Sequence, residues 1–287
     1  MPERPPLSIV LPIRHATPEA RAAVASVLPQ ARATGSEVIV VGLTDIPLPE
    51  WVRVVPTTET DLFRMRQAGL ECARGEIVAI AEDHAVPRPD WCASVIRAHR
   101  DQPDVAAIAG CLVNATAATR SGRANFLTFA AQSIDPTRAR PAGPPPLSAL
   151  TFKRRVLGDA PIRLGELETE VVPRLFTDGE MVGDASVVVD HYQDHGPAWS
   201  LANAFHAARA GYGYAQRGRS WSERARQAIW GIVHVPRRAW AERARFAPET
   251  RFEPLVLALV CANATALGLG AAVGSLFGPG SSGSRVA

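Results

Sequence analysis

The chain has 287 residues, of which 47% are hydrophobic and 21% charged, and its formal net charge is +3. These values exclude a mostly disordered chain and a molecule built as a whole to bind a polyanion, so no nucleic acid partner is expected. The four cysteines form no CxxC pair and show no zinc-ligand spacing, which is typical of free thiols in a reducing compartment. The apolar stretch near the start is short and broken by Pro12, unlike a signal peptide.

The first 114 residues alternate apolar strands with helices. Strands are predicted at 7–13, 37–42, 52–55, 76–81 and 105–113, and helices at 17–33, 61–73 and 89–100. Thr17 and Pro18 are typical of a helix start, and Gly35 of a helix end. Because these strands are apolar throughout, the pattern predicts an α/β fold with a mostly parallel sheet covered by helices on both faces. In such sheets ligands bind at the carboxyl ends of the strands.

The pattern is looser after Asn114. Residues 135–147 are rich in proline and predict a loop. Regular structure is predicted at 150–157, a helix at 164–178, a strand at 185–189, and a helix at 198–210 that ends at Gly211. The globular domain is therefore expected to cover residues 1–216.

Residues 217–252 form a basic segment in which Trp221, Trp230 and Trp240 alternate with arginines. Tryptophan and arginine both favour the headgroup zone of a membrane, which predicts an interfacial helix pair broken at Pro236. An ordinary solvated helix is the alternative.

Residues 253–278 are almost free of charge, and 255–277 are long enough to cross about 30 Å of hydrocarbon as a helix. A transmembrane helix is predicted, followed by a tail at 279–287; a buried core helix or hairpin is the alternative. Gly270 and Gly274 form a small-xxx-small pair that would pack against another helix. The arginines that precede the span predict a catalytic domain on the cytoplasmic side.

The segment 64–91 carries the clearest chemical signal. A buried strand leads directly into Glu82, Asp83 and His84, which are all able to bind a metal. A divalent ion held there would bridge the phosphate oxygens of a diphosphate leaving group. Arg64 and Arg66, on the preceding helix, would reach those phosphates or would instead cover the edge of the sheet.

Several motifs together resemble the GT-A glycosyltransferases of family 2. They are LSIVLPIRH at 7–15, EVIVVG at 37–42, MRQAGLECARGE at 65–76, EDH at 82–84, PDW at 89–91, LGELETEVVPRLFTDG at 164–179 and VVVDHYQDHG at 187–196. The resemblance covers about residues 7–215. It implies a donor half at about 1–114, an acceptor half at about 115–216, and Mg²⁺ or Mn²⁺ as cofactor.

The resemblance also implies roles for individual residues. The donor would be bound by Pro12, Arg14, Asp45, Arg66, Gln67, Glu82 and Asp83, and the metal by Asp83, His84 and His191. Glu168, with Glu166 and Glu170 as neighbours, falls where the family places the base that takes the acceptor proton. A solvated acidic helix face is the alternative for Glu168, and a polar surface position for His191.

The chain departs from the family pattern at three points. The aspartate pair after the second strand is absent and leaves Asp45 as its substitute, Gln67 replaces an asparagine, and His84 replaces an aspartate. The expected function is metal-assisted, inverting transfer of a sugar from a nucleotide donor to a lipid-linked or membrane-proximal acceptor. A catalytically inactive membrane adaptor is the alternative. A nucleotidyltransferase is a weaker one, because residues 11–20 lack a glycine-rich loop.

Overall fold

The computed structural model describes residues 4–42, 45–130, 143–158, 162–193, 195–246 and 253–286. Most of the proline-rich loop predicted at 135–147 lies outside these residues. Within the predicted basic segment, side chains are described as far as Arg237, so Trp240 and the later arginines also lie outside the description.

Eight strands form one mixed sheet. They are β1 (Leu7–Pro12), β2 (Glu37–Val41), β3 (Arg53–Val55), β4 (Ile77–Ile80), β5 (Ala85–Pro87), β6 (Ala107–Asn114), β7 (Leu150–Lys153) and β8 (Met181–His191). Their order across the sheet is β3-β2-β1-β4-β7-β6-β8-β5. Strands β3, β2, β1 and β4 run parallel to one another. Strand β7 is antiparallel to both β4 and β6, β8 is parallel to β6, and β5 is antiparallel to β8.

Helices cover the sheet. They are α1 (Pro18–Thr34), α2 (Leu62–Cys72), α3 (Trp91–Asp101), α4 (Arg120–Phe129), α5 (Val172–Thr177), α6 (Pro197–Ala215), α7 (Trp221–Phe246) and α8 (Pro254–Phe277). A π-helical turn at Leu167–Val171 leads into α5, and short 3-10 turns lie at Leu147–Ala149, Arg154–Val156 and Ser282–Arg285.

Both faces of the sheet are buried, as its apolar strands require. Ile9 and Leu11 of β1 belong to a core cluster that includes Val27 of α1. The intervening Val10 points the other way, into a second cluster with Met65 of α2. The predicted α/β fold with helices on two faces is confirmed.

Helix α2 lies unusually close to the sheet. Gly69 faces β1, and a Cβ at this position would collide with the side chain of Val10. The helix begins at Asp61, whose carboxylate accepts hydrogen bonds from the backbone N–H groups of Phe63 at 3.0 Å and Arg64 at 3.4 Å. This close approach brings Arg66 to the carboxyl end of the neighbouring strands.

Several elements of the structure differ from the prediction, and helix α4 was not predicted. Strand β5 was not predicted, because two of its three residues, Ala85 and Pro87, are of types that are rare in strands. Strand β8 covers Met181–His191 rather than 185–189. Helix α6 continues past Gly211 to Ala215, since Gly211 faces Phe63 and Thr169 inside a packed interface and does not cap the helix.

The predicted break at Pro236 is wrong, because α7 continues through it to Phe246. The proline ring lies against Gly268 of α8, where the absent side chain leaves room for it. Packing against α8 therefore holds the helix together where the proline removes one backbone hydrogen bond.

Helix α8 is the one described helix that is long and apolar enough to cross a membrane by length and composition. In the structure it packs along α6, α7 and α4. Gly270 and Gly274 face the backbone carbonyls of Phe205 and Arg209 on α6, where a Cβ would collide. The small-xxx-small pair thus packs against another helix, as predicted.

Both ends of α8 are attached to the globular domain. At its start, Glu253 forms an ion pair with Arg123 of α4, in which Oε2 and Nη2 are 2.7 Å apart. Beyond its end, Ser282 lies 3.0 Å from Nδ1 of His206 on α6, and Gly283 packs directly against Asp61. In the middle, the buried Asn263 joins the side chains of Asn125, Thr128 and Ser200 in a hydrogen-bonded network.

Candidate active site

The candidate site lies where β4 ends and β5 pairs with β8. Glu82 follows β4, and a turn closed by the backbone bond from Ala85 N–H to the Glu82 carbonyl (3.1 Å) leads into β5. In the antiparallel β5–β8 pair, Ala85 is opposite His191, and the N–H of Tyr192 donates to the carbonyl of His84 at 2.9 Å. Strand pairing therefore brings His191 beside His84, although they are far apart in sequence.

Glu82, His84 and His191 form a convergent cluster, called here the Glu-His-His triad. Oε2 of Glu82 is 3.1 Å from Nε2 of His191 and 3.5 Å from Nε2 of His84. The two imidazole rings meet edge to face with centroids 4.8 Å apart. Two atoms that each ligate one ion at about 2.1 Å, at 90–110° to each other, lie about 3.0–3.4 Å apart, close to both distances from Glu82. The three ligand atoms lie within 4.8 Å of one another, which makes the triad a candidate metal site.

Asp83 lies behind the triad rather than in it. Its Oδ1 is 3.1 Å from Nδ1 of His84. A carboxylate in this position accepts the Nδ1 proton and turns Nε2 towards the cluster, the arrangement that orients many metal-binding histidines. The structure thus brings Glu82, predicted to bind the donor, together with His84 and His191, and it places Asp83, predicted as a metal ligand, against Nδ1 of His84.

Arg66 connects the triad to Glu168. Its Nη2 donates to Oε1 of Glu82 at 3.0 Å, and its Nη1 donates to Oε1 of Glu168 at 3.1 Å. The three side chains are 11%, 17% and 24% exposed, so the interaction is largely shielded from water. The two carboxylates therefore share one guanidinium as their counter-ion.

Glu168 reaches the site from the π-helical turn Leu167–Val171. The turn follows Gly165, which has φ of 77° and lies so close to α6 that a Cβ would be 2.8 Å from the Gly211 carbonyl oxygen. Glu166 and Glu170, its neighbours, pair instead with the exposed Arg163. Of the three glutamates, Glu168 is the one joined to Arg66.

The electrostatics of the triad hold its carboxylate ionised. Burial raises the pKa of Glu82, but the hydrogen bond from His191 and the charges of His84 and Arg66 outweigh it and hold the pKa far below its usual value. For His84, burial opposes protonation, yet the bond to Asp83 and the charges of Glu82 and Asp83 raise the pKa. Burial lowers the pKa of His191 despite its bond to Glu82. The two imidazoles therefore have opposite tendencies to carry a proton.

The remaining predicted donor residues have different positions. Pro12 is buried in β1, where it pairs with Val41, and Arg14 follows it half-buried. Burial lowers the pKa of Arg14, and the charge of Asp83 acts in the opposite direction. Gln67 is half-buried on α2 and Asp45 is exposed beyond β2. The negative charge of Asp83 thus acts on Arg14. In the described part of the chain, no hydrogen bond or ion pair connects Gln67 or Asp45 with the triad.

An open cavity of about 910 Å³ extends from the triad. Its polar end is formed by Arg66, Glu82, His84, Glu168 and His191. Its other walls are largely apolar and include residues of three helices: Phe176 of α5, Trp199 of α6, and Trp230 of α7. Leu267 of α8 also lines it, so the cavity connects the charged cluster with the C-terminal helices.

Sequence reasoning missed the contribution of the C-terminal tail. Nη1 of Arg14 is 3.4 Å from the carbonyl oxygen of Ser284, and Val286 packs with Phe63 and Tyr214 while lining the cavity. Tail residues without periodicity or charge pattern carry no signal for such a contact. The link between Arg66 and Glu168 was also missed, because their partnership depends on the three-dimensional fold.

The sheet order, the strand that ends in an acidic segment and the helices on both faces define the GT-A fold of glycosyltransferases. No family model matches the chain, and a search of curated proteins finds no match. Among solved structures, the chain is similar to the mannosyltransferase PcManGT from Pyrobaculum calidifontis in complex with GDP-Man and Mn²⁺. The two share 18% identity at a TM-score of 0.57, and the alignment covers 96% of this chain and 88% of the other.

A second similar structure is the glucosyl-3-phosphoglycerate synthase from Mycobacterium tuberculosis in complex with Mn²⁺, UDP-glucose and phosphoglyceric acid. It is 13% identical with a TM-score of 0.45, and the alignment covers 68% of this chain and 74% of the other.

Proposed function

We propose that this protein transfers a sugar from a nucleotide-diphosphate-sugar donor to an acceptor hydroxyl. The proposal rests on one observation above all: Arg66 joins the Glu-His-His triad to Glu168 at the wall of a single cavity. The GT-A fold supports it, as does the donor class named for the P. calidifontis mannosyltransferase.

The triad residues Glu82, His84 and His191 would hold a divalent ion, with Asp83 orienting His84. A divalent ion held by these residues would supply charge neutralisation for the diphosphate leaving group. Arg66 and Arg14 are fixed positive charges that would bind the same phosphates. These groups would act together on the bond between the sugar and the phosphate.

Glu168 is the proposed base. Its carboxylate takes the proton of the acceptor hydroxyl as the acceptor oxygen forms its bond to the anomeric carbon, and the bond from that carbon to the diphosphate oxygen breaks with its electron pair. Attack opposite the leaving group inverts the anomeric carbon. The 3.1 Å contact with Arg66 holds the Glu168 carboxylate at the charged end of the cavity.

The acceptor proposed is lipid-linked. The cavity runs from the charged cluster to Phe176, Trp230 and Leu267. A sugar acceptor with an apolar tail would place its hydroxyl or phosphate at the charged end and its tail along these side chains. A purely polar acceptor would leave the apolar walls without a partner.

The membrane proposal rests on the surface of α7 and α8. Large exposed apolar side chains concentrate there: Trp221, Ile229, Trp230, Ile232, Val233, Leu255, Leu269 and Phe277. Arg224, Arg226 and Arg237 lie on the same helix pair, as expected next to anionic headgroups. Because both ends of α8 contact one domain, we favour attachment from the cytoplasmic side within one leaflet over the single span predicted from the sequence.

The decisive experiment screens uridine, guanosine and thymidine diphosphate sugars for binding and transfer, with and without Mn²⁺ or Mg²⁺. A ligand at one hundred times its Kd stabilises the native state by about 2.7 kcal/mol, which a thermal-shift assay detects. We expect one donor to stabilise the protein and to be consumed when a lipid-linked acceptor is added. Glu82→Gln should abolish both effects, and Glu166→Gln is the matched control.

Three results would contradict the proposal. Binding of none of these donors would favour the inactive membrane adaptor. Release of pyrophosphate from a nucleoside triphosphate would indicate nucleotidyl transfer. Full activity of Glu82→Gln would remove the triad from the mechanism.

A further inference from the structure

The residues that follow α8 are packed into the protein rather than spread on its surface. Residues 282–286, called here the tail segment, contain a short 3-10 turn at Ser282–Arg285. Ser282, Gly283 and Val286 are buried, whereas Ser284 and Arg285 are exposed. A segment without a hydrophobic pattern becomes buried in this way only where specific contacts hold it.

Three contacts attach the tail segment to α6 and to the start of α2. The hydroxyl of Ser282 is 3.0 Å from Nδ1 of His206 on α6. Gly283 lies so close to the carboxylate of Asp61, the residue that caps α2, that a Cβ would collide with it. Val286 belongs to the hydrophobic cluster at the start of α2 and also lines the cavity. The tail segment therefore bridges the two helices beside the candidate site.

The tail segment also holds Arg14. The backbone carbonyl of Ser284 accepts a hydrogen bond from Nη1 of Arg14 at 3.4 Å. Among the residues that the structure describes, this carbonyl is the one hydrogen-bond partner of the Arg14 side chain. The charge of Asp83 attracts Arg14, and the charge of Arg66 repels it. Arg14 is thus held between the tail segment and the triad.

A carbonyl is well suited to position a cation that must bind a phosphate. It fixes the direction of the guanidinium but leaves the positive charge unpaired and most of its N–H groups unused. An arginine that is not held in this way has many rotamers, and ordering it on binding would cost affinity. Holding Arg14 in advance reduces that cost.

We propose that the tail segment is a positioning element of the donor site, which orients Arg14 towards the donor diphosphate through the carbonyl of Ser284. The inference rests on the proposed function for the role of Arg14, and it adds a segment from the other end of the chain to the donor site. Because the tail segment follows α8 directly, it connects the helix proposed to lie at the membrane with the residues proposed to bind the donor.

The test measures binding of uridine diphosphate and guanosine diphosphate, each with Mn²⁺, to the full chain by calorimetry. Gly283→Ala must displace the tail segment from Asp61, and we expect it to weaken diphosphate binding about 3–10-fold. Arg14→Ala should weaken binding by about tenfold or more. In the Arg14→Ala background, Gly283→Ala should add less than about a twofold effect, because the tail segment then has no arginine to position.

Two further variants complete the test. Val286→Ala loosens the tail segment without a collision and should show the same dependence on Arg14. Ser281→Ala is the matched control, since this exposed side chain makes no capping hydrogen bond, and it should bind the diphosphate like the parent.

Unchanged binding in Gly283→Ala and Val286→Ala proteins whose circular dichroism matches the parent would overturn the inference. So would an equal loss with and without Arg14, because the effect would then act through α2 and Arg66. Failure of the proposed function is seen separately. If diphosphate binding shows the expected dependence but no sugar is transferred, the glycosyltransferase proposal fails and the positioning role stands. If sugar is transferred and the tail variants bind the donor like the parent, only the positioning role fails. If the parent binds neither diphosphate, both fail.

Discussion

Arg66 and Glu168 are joined by a 3.1 Å ion pair across two segments that are 102 residues apart in the chain. The same guanidinium pairs with Glu82 at 3.0 Å. The proposed base and the proposed metal site therefore share one counter-ion. Any ligand whose phosphates attract Arg66 will therefore change the electrostatic environment of both carboxylates.

Replacing Glu168 by glutamine removes the proposed base and keeps the shape of the side chain. We expect the rate of sugar transfer to fall about 10²–10⁴-fold, the usual contribution of a positioned base. Donor binding, measured by thermal shift, should change little. Glu170→Gln is the matched control, because Glu170 lies on the same turn but pairs with the exposed Arg163 and Arg219. Similar losses in both variants would indicate damage to the turn and would refute the role of Glu168.

Arg66→Lys tests the shared counter-ion in the ligand-free protein. A lysine ammonium cannot donate in a planar fork to two carboxylates, so one of them loses its partner in a largely buried place. We expect the free energy of unfolding, from urea denaturation, to fall by about 1–3 kcal/mol. Arg64→Lys, on the same helix with a half-exposed side chain, should change it by less than about 0.5 kcal/mol. Equal effects would contradict the proposed geometry.

Asn263→Leu tests whether α8 packs on the domain. The substitution leaves the buried side chains of Ser200 and Asn125 with fewer partners, which should destabilise the protein by about 1–3 kcal/mol. In a helix surrounded by lipid the same change would be neutral or favourable. Thr265→Val is the control on the same helix, since Thr265 is exposed and bonds only to its own helix at Cys261. An Asn263→Leu variant as stable as the parent in detergent would favour a free-standing span.

The buried His99 predicts a pH dependence of stability. Burial, together with the charges of Lys153 and Arg155, lowers its pKa to about 4, although it bonds to Thr151 at 2.9 Å. Between pH 6.5 and 4 the unfolded chain therefore binds a proton that the folded chain does not. Stability should be highest above pH 6.5 and fall by on the order of 3 kcal/mol as the pH reaches 4.

His99→Gln keeps a hydrogen-bonding side chain towards Thr151 but does not titrate. Urea unfolding of this variant between pH 7 and 4.5 should show a smaller loss of stability than the parent. His15→Gln, at an exposed position, is the control and should follow the parent. Parallel curves for parent and His99→Gln would show that His99 does not contribute to the acid lability.

The first 114 residues were predictable because local signals agree with the global fold there. Thr17 caps the start of α1 and Gly35 caps its end, as predicted, and the predicted apolar segments form buried strands. The acidic segment after β4 was located by the same logic, since the carboxyl end of a buried strand is where a ligand can reach side chains.

What the sequence could not supply was the partnership of residues from different elements. His191 meets His84 only because the three-residue strand β5 pairs with β8. Nor does the sequence show that Glu82 faces both histidines while Asp83 contacts Nδ1 of His84. Helix α7 continues through Pro236 where the proline ring packs against Gly268 of α8. A prediction from the residues near Pro236 alone cannot take this contact into account.

The π-helical turn that carries Glu168 also makes the site sensitive to chain length. Such a turn holds about one residue more than an α-helical turn, so deleting a single residue between Leu167 and Val171 would restore an ordinary α-helix. Each residue of an α-helix advances about 100° around the axis, and Glu168 would rotate by that angle relative to α5. Single-residue deletions here should therefore disconnect Glu168 from Arg66 while preserving the hydrophobic face, whereas insertions in the exposed turn before α7 should be tolerated.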